Sequence, residues 1–532
     1  MPRPVRLRAL LALTFFSTAL TAVAQPTPAA RNFDVKNYGA TGDGKTLDSD
    51  AINRAILAAD AAGGGTVFFP AGTYLSASIR LRSNITLQLE AGSIIEAVAD
   101  KIAAYDPPEP NEWGDKFHFQ DYGHSHWHNS LIWGVGLHDI SILGPGLIYG
   151  QGLNPGFDRF ADESKSAPRY RDGGPGSANK AIALRDCRNV TLRDFSILHG
   201  GHFGILATGT DNLTIDNLKI DTNRDGIDID ACQNVRVANT SVNSPWDDGL
   251  CLKASYALGR IRSCENITIV NCYLAGNFDE GTLLDGTFKR SAPAYRSYRT
   301  GRIKFGTESN GDFKNITIAN CVFDDCGGLA IESVDGSHIE DVAISNITMR
   351  HVSNAPIFIR LGHRARGPNH PPVGTIRRIS IDNLVVSDSD RELSSIISGI
   401  PGHPVEDIHL SNLRFVHQGG GARELADRDP PEEEKSYPEP GMFGPMPAYG
   451  FFIRHATGIE VDHVKLDFAQ PEARPAIVLA DVRDIHFDHV NFARGTDNAP
   501  LFDLRDVTDF SVTASRNLPD TRRETLVARE KF

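Results

Sequence analysis

A four-residue pattern recurs along the chain: Asn or Asp, an aliphatic residue, Thr or Ser, and a second aliphatic residue. The clear copies begin at Asn84, Asp139, Asn189, Asn212, Asn234 (with Arg in the third place), Asn266 and Asn315. The copies at Asn189, Asn212 and Asn234 are separated by 23 and 22 residues. Repeats of roughly 20–50 residues are typical of solenoids and propellers.

Each repeat contains two or three short runs of alternating apolar residues and no helical pattern, which indicates strands with one buried face. Leucine-rich repeats would place leucines at fixed positions, and WD-type propellers would need repeats of roughly 40–45 residues. The sequence has neither pattern. The repeats therefore predict an all-β chain that folds as a single-stranded parallel β-helix.

Two neighbouring repeats contain aligned aspartates. Asp225 matches Asp248 in the next repeat, 23 residues later, and Asp247 lies beside Asp248. Equivalent positions on successive turns of a β-helix lie about 4.8 Å apart. We therefore predict that these three side chains form one carboxylate patch, as acid/base chemistry on a glycosidic bond requires.

The same alignment predicts which side chains of the two repeats face the core. Ile227 and Leu250 would point inward, and Asp230 would lie beside Lys253 on adjacent turns. The second pair is either an ion pair next to the carboxylate patch or a solvated surface contact that contributes little.

Length and charge restrict the class of protein. The chain has 532 residues with 49 Gly and 30 Pro, which is too long for one compact core but suits a solenoid. The net charge of −13 argues against a nucleic-acid partner. Residues 1–24 read as a cleaved signal peptide, with arginines, an apolar run and Ala22-Val23-Ala24 before Gln25. We expect a secreted or periplasmic protein without a membrane span.

The rest of the chain is predicted to be one catalytic β-helix over residues 32–515, followed by a loose tail or end cap over 516–532. A helix over roughly 50–61, capped by Asp48 or Ser49, would close the first coil. Loops are expected at 104–130 and 418–448, and long loops of this kind are usually functional or disordered.

The loop at 104–130 contains His126, Trp127 and His128. Sugar stacking and hydrogen bonding are the favoured interpretation for Trp127, His126 and His128. A metal site and a plain solvated loop are the alternatives, but no acidic ligand at metal spacing supports the metal site.

Seven cysteines leave at least one thiol unpaired within the chain. Cys321 and Cys326 flank a short turn and could form a disulfide. Equally, the cysteines could be small core residues.

Several motifs together resemble the polygalacturonase-like glycoside hydrolases of family 28. They comprise residues 33–40, 42–44, 63–70, 140–146 and 150–152, then Asn223-Arg224-Asp225 and Asp247-Asp248. The family has Thr where this chain has Arg224. The resemblance covers residues from about 32 to 490 and implies a right-handed β-helix and hydrolysis with inversion, without a cofactor. It also implies that Asp248 or Asp247, with Asp248 preferred, is the general acid, and that Asp225 and Asp247 activate water.

Two positions depart from the family. Thr300 takes the place of a histidine, and Glu332 takes the place of the lysine that binds a substrate carboxylate. Arg302 and Lys304 form a similar Arg-Ile-Lys string that is out of register, but they could compensate from the neighbouring turn. Glu332 disfavours a plain galacturonate at this subsite.

His202 and Lys253 complete the residues predicted to bind substrate, although a structural role in a turn is equally open for His202. The predicted function is hydrolysis of a pectin-like polysaccharide or oligosaccharide. The alternatives are a polysaccharide lyase, in which the aspartates could bind calcium, and a non-catalytic carbohydrate-binding solenoid.

Overall fold

Strands from successive repeats pair in parallel and form three columns around one apolar core, so the chain is a right-handed parallel β-helix. The computed structural model describes residues 1, 31–111, 119–121, 123–154, 174–276, 278–290 and 300–532, without the side chains of 279 and 497. Apart from Met1, the predicted signal peptide lies outside these residues. In the described part of the chain, no helix has the length and apolar character needed to cross a membrane.

The strands of each column follow one another along the sequence. The first column contains Asn32–Asp34, Gly65–Phe69, Ile85–Leu89, His138–Leu143, Arg188–Arg193, Asp211–Asp216, Gln233–Ala238, Cys264–Val270 and Phe313–Ala319. The second contains Asp43–Leu47, Gly72–Ser76, Ser93–Ala97, Leu147–Tyr149, Ser196–Leu198, Lys219–Asp221, Ser241–Asn243, Tyr273–Ala275, Val322–Asp324, Lys465–Gln470 and Asn491–Phe492. The third contains Ile79–Arg80, Ile132–Val135, Lys180–Arg185, Phe203–Thr208, Asp225–Asp230, Leu250–Ala254, Ile303–Ser309, Leu329–Ser333, Ile357–Leu361 and Ser395–Ser398.

In the C-terminal half, long strands bend from one column into the next. They are His338–Arg350, Thr375–Ser389, Val405–Gly419, Phe451–Asp462, Ile477–Asp488 and Phe502–Thr513. A short antiparallel hairpin joins Phe278–Glu280 to Lys289–Arg290. Single-turn 3-10 helices span Val35–Tyr38, Arg423–Asp427, Pro440–Phe443 and Thr496–Asn498.

Aliphatic side chains stack inside the coil from one turn to the next. Along the third column, Ile205 pairs with Ile227, Ile227 with Leu250, and Leu250 with Ile303, and all four are fully buried. Each such side chain contributes about 1.5–3 kcal/mol to the free energy of folding. The inward positions predicted for Ile227 and Leu250 are confirmed.

The recurring Asn of the sequence pattern is the second residue of a strand in the first column. Asn189, Asn212 and Asn234 all have a positive φ, between 49° and 60°, which Asn tolerates better than most residues. Their amides bond along the coil, and Asn212 Nδ2 donates to Asn189 Oδ1 at 2.7 Å. Backbone conformation and this amide ladder together explain why the pattern repeats.

The predicted N-terminal helix is present and spans Ser49–Ala61, with its apolar face over the first coil. The expected cap is different in detail. Asp48 is at the N-cap position, but its carboxylate accepts the backbone N–H groups of Thr41 and Gly42 at 2.7 and 3.0 Å. Asp48 therefore fixes the preceding turn rather than the first turn of the helix.

The last residues form the second end cap. Strands Thr521–Arg523 and Val527–Lys531 pair antiparallel with Phe502–Thr513, the last strand of the coil. Residues 516–532 were expected to form either a loose tail or an end cap, and the structure shows an end cap. The cap provides hydrogen-bonding partners for a strand edge that would otherwise be exposed.

All seven cysteines are buried free thiols, so the disulfide considered between Cys321 and Cys326 is wrong. Cys321 Sγ lies 3.3 Å from the backbone oxygen of Ala319, whereas Cys326 Sγ lies 3.7 Å from that of Leu274. These cysteines behave as small core residues.

Candidate active site

The three aspartates meet on the outer face of the third column. Asp225 begins the strand Asp225–Asp230, and Asp247-Asp248 form the turn before the next strand, Leu250–Ala254. Carboxylate oxygens of Asp225 lie within 4.8 Å of those of Asp247 and of Asp248. Asp225 and Asp248 are each only 3% exposed. The structure thus brings together the carboxylates that the sequence period predicted.

Asp248 is held in its ionised form by two cations. Arg302 Nε donates to Asp248 Oδ1 at 2.8 Å, and Lys304 Nζ lies 3.3 Å from Asp248 Oδ2. Burial would raise the pKa of Asp248, but the charges of Lys304 and then Arg302 outweigh it and lower the pKa to about 2.

Asp225 has the opposite tendency. Burial raises the pKa of Asp225 well above its ordinary value, and the neighbouring carboxylates of Asp228 and Asp247 raise it further. In this structure Asp225, rather than Asp248, is therefore the carboxyl group that favours the proton. This order disfavours the general-acid role expected for Asp248.

Asp247 is the most accessible of the three, with 23% of its side chain exposed. Its Oδ2 forms an ion pair with Arg224 Nη2, so the arginine that departs from the family motif touches the predicted catalytic group directly. His202 also has a ring nitrogen within 4.8 Å of oxygens of Asp225 and Asp247. Burial and then Arg224 lower the pKa of His202 well below its ordinary value, so its imidazole is neutral.

Lys253 lies in the site, but the ion pair considered with Asp230 is wrong. The two residues are neighbours on adjacent strands, as predicted. However, Lys253 Nζ lies 3.2 Å from Glu308 Oε2 and 3.7 Å from Asp228 Oδ2. Asp230 instead accepts bonds from the backbone N–H and the hydroxyl of Ser255 at 2.8 and 2.6 Å. The hydrogen bonds from Ser255 satisfy the carboxylate of Asp230, so Lys253 instead bridges the carboxylates of Glu308 and Asp228.

The loop expected at 104–130 reaches the site through His124, which was not among the residues predicted from the sequence. His124 Nε2 lies 3.1 Å from Asp228 Oδ2, and its ring packs edge-on against Phe203. The alternation of histidines in this loop was the available signal, but alternation could not tell which histidine faces the coil.

Trp127 does not provide a sugar-stacking face, so its predicted role is wrong. Its side chain is fully buried, its Nε1 donates to Thr208 Oγ1 at 3.1 Å, and the guanidinium of Arg185 lies 4.6 Å from its ring. An apolar ring of this size stabilises the loop against the coil. His126 is half-buried, with its Nδ1 2.8 Å from the backbone oxygen of Glu109.

The loop expected at 418–448 contributes two further residues. Glu439 Oε1 forms an ion pair with Arg302 Nη2 and lies 3.5 Å from Lys304 Nζ. The hydroxyl of Tyr437 lies 3.4 Å from the same Lys304 nitrogen. Arg302 and Lys304 therefore lie in the site, on the coil turn that follows the turn of Asp248. This is the position from which they were expected to compensate for the lysine that Glu332 replaces.

Glu332 is fully buried on the following strand, 3.8 Å from Lys304 Nζ. Burial raises the pKa of Glu332 to about 8, although Lys304 and Arg302 act in the other direction. Glu332 is thus a neutral acid over most of the physiological pH range.

The raised pKa of Glu332 predicts a pH dependence of stability. Folded protein keeps this proton up to about pH 8, whereas the unfolded chain loses it near the ordinary value of 4.5. Between these pH values the folded state binds more protons than the unfolded chain. The free energy of unfolding therefore falls as pH rises, by about a few kcal/mol in total. Urea unfolding of wild type and Glu332→Gln at pH 5 and about pH 9 measures the change in the free energy of unfolding between the two pH values. The wild type should lose more stability than the variant, and equal losses would contradict the assignment.

Within the described residues, four groups of side chains have donor atoms close enough to hold a cation. One is exposed and lies elsewhere (Asp484, His486 and Asp509), and the other three share Asp225: with His124 and Asp228, with His202 and Asp247, and with Asp248 and Cys251. Asp248 and Asp228 already contact Arg302 and Lys253, respectively. A divalent cation in those two groups would have to compete with existing ion pairs.

Comparison with known proteins supports the β-helix fold. Residues 32–101 match the family described as rhamnogalacturonase A/epimerase, pectate lyase-like, and residues 176–359 match the right-handed beta helix region. A probable polygalacturonase of Vitis vinifera is 22% identical over 421 residues, covering 74% of this chain and 76% of that protein. An exo-poly-alpha-D-galacturonosidase of Dickeya chrysanthemi is 24% identical over 271 residues, 43% of each chain.

The chain is similar to polygalacturonases over most of its length. Among solved structures, the family 28 exopolygalacturonase of Yersinia enterocolitica aligns with this chain with a TM-score of 0.58 at 20% identity. The alignment covers 90% of this chain and 78% of the other. At that identity the likeness establishes the shared fold.

Proposed function

We propose that this protein is an exported glycoside hydrolase that cleaves a pectin-like polysaccharide or oligosaccharide. The observation that carries the proposal is the contrast between two adjacent buried carboxyl groups. Asp225 favours the protonated form and Asp248 the ionised form. Glycosidic bond cleavage needs one carboxylic acid and one carboxylate on either side of the reacting bond.

In the proposed mechanism, Asp225 donates its proton to the leaving glycosidic oxygen. Asp248, kept ionised by Arg302 and Lys304, accepts a proton from the attacking water, and Asp247 helps to hold that water. Water would attack the face opposite the leaving group and invert the anomeric centre, as the family resemblance implies. Asp247 would line the mouth of the site, because it is the most exposed of the three aspartates.

A product screen tests the proposed reaction. The purified protein is incubated with polygalacturonan, methyl-esterified pectin, neutral plant polysaccharides and aryl glycosides, and new reducing ends are measured. We expect reducing sugars without an unsaturated product, and nuclear magnetic resonance of the first product should detect the inverted anomer. An ultraviolet-absorbing unsaturated product would point to a lyase instead, and no release from any substrate would contradict hydrolysis.

A further inference from the structure

Arg302 and Lys304 form a cationic pair directly beside the proposed catalytic carboxylates. Both side chains are almost fully buried, at 1% and 2% exposure, and both contact Asp248. Two buried cations that point at one location form a strong binding site for a carboxylate. In a hydrolase of acidic polysaccharides, such a pair would be expected to receive the carboxylate of the substrate.

In this protein, a carboxylate of the chain itself occupies that place. Glu439 bonds Arg302 and lies 3.5 Å from Lys304. Its side chain remains 31% exposed, so the Glu439 carboxylate lies between the cations and solvent. An incoming carboxylate would meet a negative charge before it reached either cation.

The backbone that carries Glu439 is anchored to the coil on both sides. Before Glu439, Arg360 Nη2 donates to the backbone oxygen of Glu432 at 2.7 Å. The backbone N–H of His363 donates to the backbone oxygen of Glu434 at 2.6 Å. After Glu439, Phe443 is fully buried in an apolar cluster with Phe358. Glu439 is therefore a resident part of the site.

In the described part of the site, the positive and negative charges around Arg302 and Lys304 balance. Arg302 and Lys304 are matched by Asp248 and Glu439, and Glu332 is neutral below about pH 8. Lys180 offers no extra cation, because it lies three turns before Asp248's turn, is fully buried, and donates to the amide oxygen of Asn179.

We propose that Glu439 is a specificity-determining residue that makes this subsite select an uncharged sugar over a free uronate. The inference rests on the proposed hydrolase function and narrows its substrate class. Suitable residues are a neutral sugar or a uronate whose carboxyl group is esterified. A free uronate is rejected because its carboxylate would face Glu439 at short range, and no cation among the described residues of the site is left unpaired to offset that repulsion.

The test compares one polymer backbone in two charge states. Specificity constants, kcat/KM, are measured on methyl-esterified and on de-esterified polygalacturonan for wild type, Glu439→Gln and Glu434→Gln. Glu434 lies in the same loop and serves as the matched control. Wild type should prefer the esterified polymer at least 10-fold, Glu439→Gln should lower this preference at least 10-fold, and Glu434→Gln should leave it unchanged.

A binding measurement separates failure of this inference from failure of the proposed function. Calorimetric titration with galacturonate and with its methyl ester needs no turnover. Tighter binding of the ester by wild type, lost in Glu439→Gln, supports the inference even if no polymer is cleaved. A wild-type preference for free uronate, an unchanged preference in Glu439→Gln, or no binding of either sugar by either protein would overturn it.

Discussion

Asp225→Asn lowers kcat by about 10³- to 10⁴-fold on a natural polysaccharide, because the variant has no proton to give to the leaving oxygen. The amide matches the carboxyl group in size, so the packing of the coil should be retained. Steady-state kinetics on the best substrate of the product screen measure the loss, and circular dichroism checks the fold. Asp194→Asn, at an exposed turn of the same coil, should retain wild-type activity.

The leaving group distinguishes the roles of the two buried aspartates. An aryl glycoside with a strongly acidic phenol needs little help from a general acid, so Asp225→Asn should recover most of its activity on it. Asp248→Asn should remain inactive on both substrates, because activation of water is still required. The reverse pattern, with recovery only in Asp248→Asn, would restore the general-acid role first expected for Asp248.

Lys253→Met lowers the free energy of unfolding by about 3–5 kcal/mol, as is typical when one partner of a buried ion pair is removed. Lys253 is 6% exposed and lies between Glu308 and Asp228, which are both fully buried. Methionine keeps most of the length of the side chain but leaves two carboxylates without their shared cation. Urea titration at neutral pH measures the change.

The matched control for Lys253→Met is Lys465→Met. Lys465 also pairs with a carboxylate, Asp467 at 3.3 Å, but both side chains are more than 40% exposed. An exposed pair contributes about 0–1 kcal/mol, so this variant should be nearly as stable as wild type. Equal losses in the two variants would contradict the importance of burial.

The repeat predicted the coil and the carboxylate patch because both depend on equivalent positions in successive turns. Once Ile227 pairs with Leu250, the same offset places Asp225 beside Asp248, whatever the loops do. The helix Ser49–Ala61 was also predictable from its local composition and the glycines that follow it.

The loop residues were not predictable in the same way. A loop sequence does not state which side faces the coil, so Trp127 was assigned to substrate although it is buried, and His124 was not selected. Glu439 meets Arg302 across 137 residues, and no period connects the two. The proton preference of Asp225 likewise depends on burial and on neighbours that only the folded chain defines.

The origin of the site residues has a consequence for how such proteins can diversify. Asp225 and Asp248 belong to the coil, whereas Glu439 belongs to a loop that leaves after Val405–Gly419 and returns at Phe451–Asp462, two strands that pair with each other. Its two ends therefore rejoin neighbouring turns of the coil. Replacement of this single loop could alter the choice of sugar, while the reacting groups and the β-helix remain unchanged.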